Sequence, residues 1–364
     1  MLFVEEPVRD AGPARLERIV QGPRLEVLVP HTPVDAAGFG DAQIPLLERL
    51  LDTLRRERGI ERPIAWLYTP MALPLLARLR PCAVVYDCMD EFAALDGAPR
   101  TLRERERALL AVADLVLTGG PSVYEAKRRL HPNVHCLPSA VDAALFAPDE
   151  LDAASDAAAQ ARRLQAGLPH PQLGFFGVID ERIDLALVDA LAAARSDWQL
   201  VMVGPVAPRV ADRLPARANI HWLGTQPYEL LPHLMSGWDL CLMPFVLDPT
   251  TRYLSPTKTL EYIAGEKPVV STAVPDVVAL YGDLVQIAHG PRGFIDACAA
   301  LLAETPWQRR RRTDRLIATV FRSSWAHNAA YVHGLLVQTL EEPPVAPGAT
   351  RVVAAARADA AAAG

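Results

Sequence analysis

Short runs of aliphatic and β-branched residues alternate along this chain with longer stretches in which apolar residues return every three or four positions. The runs at 2–5, 25–29, 64–68, 83–86, 115–118 and 134–137 predict strands, and the stretches at 44–58 and 99–113 predict helices. Pro99 stands at the start of the second helix, where a missing N–H is tolerated. A second alternation follows, with strands expected at 173–178, 198–203, 220–223, 240–243, 269–271 and 284–287 and helices at 185–194, 227–235 and 257–264. Alternation of this kind builds parallel sheets covered by crossover helices. The prediction is therefore an α/β chain of two Rossmann-like, doubly wound halves.

Between the halves, Pro138-Ser-Ala-Val-Asp-Ala-Ala-Leu-Phe-Ala-Pro leads into an Ala- and Asp-rich region ending near Pro171. The expected division is a first domain at 1–145, a linker at 146–171 and a second domain at 172–325. A last helix, at 326–343, is expected to pack back on the first domain. The Pro-, Gly- and Ala-rich 344–364 is expected to be a disordered tail. The front of the chain is unusual, because it starts inside a strand pattern and has no glycine-rich loop before Gly12. Either the first half is atypical, or it lacks its first strand and helix.

Composition narrows the class. A chain of 364 residues exceeds the size at which one core usually keeps growing. Its net charge of −6 argues against a nucleic-acid partner held by bulk electrostatics. Five scattered cysteines without a Cys-x-x-Cys spacing point to buried free thiols in a reducing cytoplasm rather than to a metal or redox site. No stretch reaches the roughly 18 apolar residues that span a bilayer. A soluble cytoplasmic protein is expected, with peripheral contact at the inner membrane face left open.

The sharpest chemical signal is Ser255-Pro-Thr-Lys-Thr-Leu-Glu-Tyr-Ile-Ala-Gly-Glu-Lys-Pro-Val-Val-Ser-Thr. Ser255 is a good N-cap and Pro256 suits the first helical position, so the amides of Thr257 and Lys258 would face an anion. Lys258 adds a full positive charge, and Glu261 lies on the same helix face. Amides and an ammonium for a diphosphate, with a carboxylate one turn on for ribose hydroxyls, suit a nucleotide. A surface helix with a capping serine and a Glu–Lys pair accounts for this segment alone equally well. Three further loops favour the binding reading: strands are expected to end at Gly177, Gly204 and Gly224, and strand ends in doubly wound sheets converge on one crevice.

The order strand–Gly loop, Val-Gly, Ile-x-Trp-Leu-Gly, then a capped helix with Glu and Gly-x-Lys-Pro-Val-Val-Ser, resembles the donor domain of GT-B glycosyltransferases, particularly bacterial family 1 and family 4 members. Leu137-Pro-Ser-Ala-Val-Asp-Ala-Ala-Leu-Phe resembles the segment with which those enzymes enter their interdomain linker. The resemblance covers roughly residues 80–340. It implies two Rossmann-like domains facing a cleft and a glycosyl group moved from a nucleotide diphosphate sugar, UDP being the commonest, to a glycan or lipid-linked acceptor. Cell-surface polysaccharide or glycolipid synthesis is the expected setting, with no cofactor and no metal. Glu261 matches the family's ribose-gripping Glu, while the partner Glu would fall at Tyr253 and is absent. Arg182 is the nearest basic candidate for the diphosphate, with a surface ion pair to Glu181 or Asp184 as its plain alternative.

The first half is expected to bind the acceptor. Tyr86-Asp-Cys-Met-Asp-Glu follows a predicted strand, and Asp87, Asp90 or Glu91 could take the proton from an acceptor hydroxyl if the enzyme inverts. Local capping is the rival role for Asp90. Tyr68 also ends a strand, and Arg309-Arg-Arg-Arg after Trp307 is either a solvated helix face or a contact for anionic lipid. A nucleotide-sugar epimerase and a nucleotide-sugar-binding protein without catalysis remain the alternatives.

Overall fold

The computed structural model describes residues 1–94, 98–249, 251–320 and 323–341; the tail expected at 344–364 lies outside them. The chain divides into two compact units. Of the described residues, the first comprises those in 1–118, 124–135 and 334–341, and the second those in 119–123 and 136–333.

The first unit opens with β1 (Leu2–Val4), β2 (Val8–Arg9), β3 (Arg15–Gly22) and β4 (Leu25–Thr32). β3 and β4 form an antiparallel hairpin, while β1 and β2 run parallel to Glu26–Leu28 and His31–Thr32 of β4. β3 was absent from the sequence pattern for a physical reason. Its side chains are mostly exposed on both faces, so no apolar alternation marks it. α1 (Ile44–Glu57) follows and buries Ile44, Leu47, Leu51 and Leu54, a helical stripe three to four residues apart.

A second sheet, in the order β5-β6-β7-β8, completes this unit: β5 (Ile64–Leu67), β6 (Ala83–Cys88), β7 (Leu115–Thr118) and β8 (Val134–Cys136). α2 (Leu76–Leu79) lies between β5 and β6, α3 (Arg100–Val112) between β6 and β7, and α4 (Pro121–Lys127) before β8. Pro99 stands one residue before α3 rather than inside it. All six residues of β6 are buried. Beneath its end, the Lys127 ammonium meets Glu91 at 2.7 Å and Glu106 at 2.8 Å, and Tyr86 donates to Glu106 at 2.9 Å. Glu91 is thereby held by a buried lysine.

In the second unit, α5 (Ala143–Phe146) and α6 (Asp156–Leu164) fold the Ala- and Asp-rich stretch. The Ser155 hydroxyl caps α6 on the Ala158 N–H, and Phe146 and Ala161 enter the core. Six parallel strands follow: β9 (Gln172–Phe176), β10 (Gln199–Val203), β11 (Ile220–Trp222), β12 (Leu240–Met243), β13 (Val269–Thr272) and β14 (Gln286–Ala288). Their spatial order, β11-β10-β9-β12-β13-β14, reverses between β9 and β12, which is where doubly wound sheets open a ligand crevice. The four central strands, β9, β10, β12 and β13, are buried end to end, and α7 (Leu185–Ala194), α8 (Leu231–Ser236), α9 (Lys258–Ala264), α10 (Pro275–Tyr281), α11 (Gly290–Leu302) and α12 (Pro306–Val320) complete the unit. α13 (Trp325–Glu341) ends the described chain.

Candidate active site

The three glycines expected at strand ends do meet. After β9, the Gly177 N–H donates to the Val203 carbonyl at 2.9 Å; after β10, the Gly204 N–H donates to the Gly224 carbonyl at 2.8 Å. Gly177 and Gly204 both take φ +139°, where L side chains are strained, and Gly224 takes φ +65°. Space is as restrictive as torsion. A Cβ on Gly204 would lie 1.9 Å from the Gly177 carbonyl oxygen, and one on Gly177 would lie 2.8 Å from Cε of Lys258. The backbone here is bare because Lys258 lies directly against it.

Lys258 opens α9 above the switch between β9 and β12. Its ammonium sits 5.6 Å from the Phe175 ring of β9 and 5.3 Å from the Phe245 ring just past β12. Among the described residues no hydrogen-bond acceptor or carboxylate reaches its Nζ within bonding distance. Burial pushes the Lys258 pKa down to about 8; Glu261 and Asp180 pull it back, and the Arg182 charge lowers it further. A cation without a bonded partner among the described residues, set between aromatic rings and against the half-buried Gly177 backbone, is built to receive an anion.

Tyr262 fixes the helix that carries it. Its hydroxyl accepts the Phe176 N–H at 3.0 Å, and its ring stands edge-on to Phe176 at 4.8 Å, tying α9 to the end of β9. Leu260 and Ile263 supply the buried side as their spacing predicts. The helix start differs from expectation. α9 begins at Lys258 with Thr257 as its N-cap residue, and no side chain caps it. Pro256 therefore precedes the helix and offers its carbonyl to Thr259. Ser255 faces Asp276 instead, a carboxyl whose pKa burial raises and the Ser122 and Ser255 contacts lower. α9 is only seven residues long, so the charge of Lys258 outweighs the field of its amides. Gly265 closes α9 with φ −80°, and the left-handed residue is Glu266; Gly265 is glycine because a Cβ would lie 2.1 Å from Met235 Cε.

Glu261 stands one turn on from Lys258. Its Oε1 accepts the Tyr228 hydroxyl at 2.7 Å, and burial raises its pKa against the lowering effect of Tyr228 and Lys258. Tyr228, which sequence reasoning passed over, packs edge-on against Phe146 at 5.8 Å. Only its place in the Gly224-Thr-Gln-Pro-Tyr loop could have signalled it. Arg182 is neither paired with Glu181 nor with Asp184. Its guanidinium grips Asp180 through Nε and Nη2, the latter at 2.6 Å. Burial raises the Asp180 pKa, but Arg182 and Lys258 outweigh it and hold the carboxyl below its ordinary value. At the position of the absent family Glu, Tyr253 carries the Arg252 guanidinium over its ring at 5.4 Å.

In the first unit, Asp87 is the last residue but one of β6 and is only 5% exposed. Trp66 donates its indole N–H to Oδ2 at 3.0 Å, and burial still pushes the pKa up to about 6. Tyr68, two residues beyond Trp66, is half exposed, and burial together with the Asp87 charge raises its pKa. Asp90 does what a turn residue does: its Oδ1 accepts the N–H of Glu91 at 2.8 Å.

Residues 170–304 match the family model described as glycosyl transferases group 1. The chain is 29% identical over 297 residues to the Bacillus subtilis (strain 168) protein named "Putative teichuronic acid biosynthesis glycosyltransferase TuaH", covering 75% of this chain and 71% of that one. Sucrose-phosphate synthase from Thermosynechococcus elongatus superposes with a TM-score of 0.71 at 17% identity, covering 93% of this chain and 88% of that one. Anabaena HepE, solved in complex with UDP and glucose, superposes with a TM-score of 0.67 at 16% identity, covering 86% of each chain. The fold is thus that of GT-B proteins, built from two Rossmann-like domains. The chain is a glycosyltransferase whose residues 170–304 resemble the group 1 family.

Proposed function

We propose that this glycosyltransferase moves a sugar from a UDP-sugar to a glycan or lipid-linked acceptor in the synthesis of a cell-surface polysaccharide. The observation that carries the donor chemistry is the Lys258 ammonium, unpaired within bonding distance among the described residues, against the bare backbone of Gly177. A diphosphate placed there meets a full positive charge and main-chain surface without a side chain in between. As the bond from the sugar's anomeric carbon to the diphosphate breaks, charge grows on the departing oxygen, and Lys258 stabilises it. Arg182 has its charge met by Asp180, so Lys258 is the principal cation of the site. Glu261 keeps Oε2 for a ribose hydroxyl while Tyr228 holds Oε1.

Asp87 is the base in this reading. A buried carboxylate with a pKa near neutrality takes a proton from an acceptor hydroxyl as that oxygen attacks the anomeric carbon. The setting follows the similarity to a protein named for teichuronic acid biosynthesis, and the choice of UDP follows the UDP complexes of HepE. In this reading a lipid-linked acceptor is met peripherally, from the cytoplasmic side; among the described residues no helix is long and apolar enough to cross a membrane.

A thermal-shift screen against UDP-, GDP-, ADP- and dTDP-sugars tests the assignment. UDP-sugars should raise the unfolding midpoint of the wild type and leave Lys258→Ala and Glu261→Ala nearly unmoved. Stabilisation by none of the four classes would contradict it.

A further inference from the structure

The donor chemistry leaves one charged surface unused. α12 carries five arginines, at 309–312 and 315, against one acid, Asp314, in a chain whose net charge is −6. Among the described residues only Arg312 of these meets a carboxylate, Glu304 at 3.1 Å. Arg309 and Arg315 spend their hydrogen bonds on backbone carbonyls, Arg309 on Leu302 and Glu304 and Arg315 on Asp283, so their charge is uncancelled. Among the described residues Arg310 and Arg311 have no acidic partner within 4 Å. Beside them Trp307 is 67% exposed, with the Arg311 guanidinium 5.5 Å from its ring. A cavity of about 410 Å³ opens between α12 and the turn before β14, lined by Trp307, Arg311, Arg312 and Arg315 and also by Asp283 and Glu304.

We infer that α12 docks the second unit on an anionic lipid surface. Trp307, Arg310, Arg311, Asp314 and Ile317 recur at helical spacing, and Ile317 is also exposed, so one face joins an indole and an aliphatic chain to guanidinium groups. An indole sits at the headgroup level of a bilayer, and guanidinium groups pair with lipid phosphates. Each basic residue near an anionic leaflet adds to the attraction. A nucleic acid would use the arginines and leave Trp307 and Ile317 in water. This deepens the peripheral membrane contact proposed above and stands or falls independently of the donor chemistry.

Co-sedimentation of the full chain with vesicles tests it. Vesicles containing phosphatidylglycerol should bind the wild type, and those of pure phosphatidylcholine should bind it at least roughly tenfold less. Arg310→Glu combined with Arg311→Glu should lower the partition coefficient by roughly tenfold or more, and Trp307→Ala should lower it less. UDP binding, followed in parallel, should be unchanged in all three proteins, which excludes a folding defect. Equal binding of the reversed-charge variant, equal binding to neutral vesicles, or displacement from vesicles by a short duplex DNA would overturn the inference.

Discussion

The Tyr228 hydroxyl donates to Oε1 of Glu261 across 2.7 Å, joining the loop after Gly224 to the face of α9 that carries Lys258. One carboxylate oxygen is thus committed before any ligand arrives, and the other is aimed. Tyr228→Phe keeps the ring packing on Phe146 and removes only the hydrogen bond. UDP should then bind roughly 3- to 10-fold more weakly, on the order of 1 kcal/mol for a carboxylate that has lost its orienting hydrogen bond. Calorimetry with a ribose-modified 2′,3′-dideoxy UDP should show no difference between the variant and the wild type. If both ligands lose affinity equally, Tyr228 does not act through the ribose contact.

The glycines make a graded prediction. Gly204→Ala places a methyl 1.9 Å from a backbone oxygen and at a φ of +139°, so the two strand ends must separate. It should cost more than about 3 kcal/mol and abolish nucleotide binding. Gly224→Ala meets nothing within 4 Å and pays only for its left-handed φ, about 1 kcal/mol. Denaturant melts of the two variants should differ accordingly.

Two perturbed groups set a pH dependence. Deprotonation of Asp87 near pH 6 should switch transfer on, and loss of the Lys258 charge near pH 8 should weaken the donor, giving kcat/KM a bell shape between them. Lys258→Arg should move the alkaline limb upward. For stability the sign runs against the usual carboxylate. The Asp87 pKa is raised in the folded state from 3.8 to about 6, so the folded protein binds the extra proton and loses stability as pH rises from about 4 to 6. Above pH 6 the full penalty stands. Asp87→Asn, neutral and nearly isosteric, should melt higher than the wild type at pH 7.5 and converge with it near pH 4.

How far the sequence reached depends on which force shaped each part. The four central strands of the second unit were legible because each is a short apolar run buried on both faces. Gly177, Gly204, Lys258 and Glu261 were legible because their chemistry is local to short motifs. β3 was not, since an exposed hairpin strand carries no apolar period. Nor were the partners that cross the fold: Tyr228 on Glu261, Asp180 on Arg182, and Lys127 between Glu91 and Glu106, which occupies a carboxylate that spacing alone offered as a base. Ser255 has every local mark of a cap, yet tertiary contact with Asp276 takes it away from the helix start.

Turnover of a labelled UDP-sugar by the purified full chain tests the central claim most directly. The wild type should release UDP, in hydrolysis or in transfer to an added membrane extract, and Lys258→Ala should lower kcat/KM by roughly 10²–10³ with its melting curve unchanged. A folded Lys258→Ala protein that turns the donor over as fast as the wild type would contradict the account.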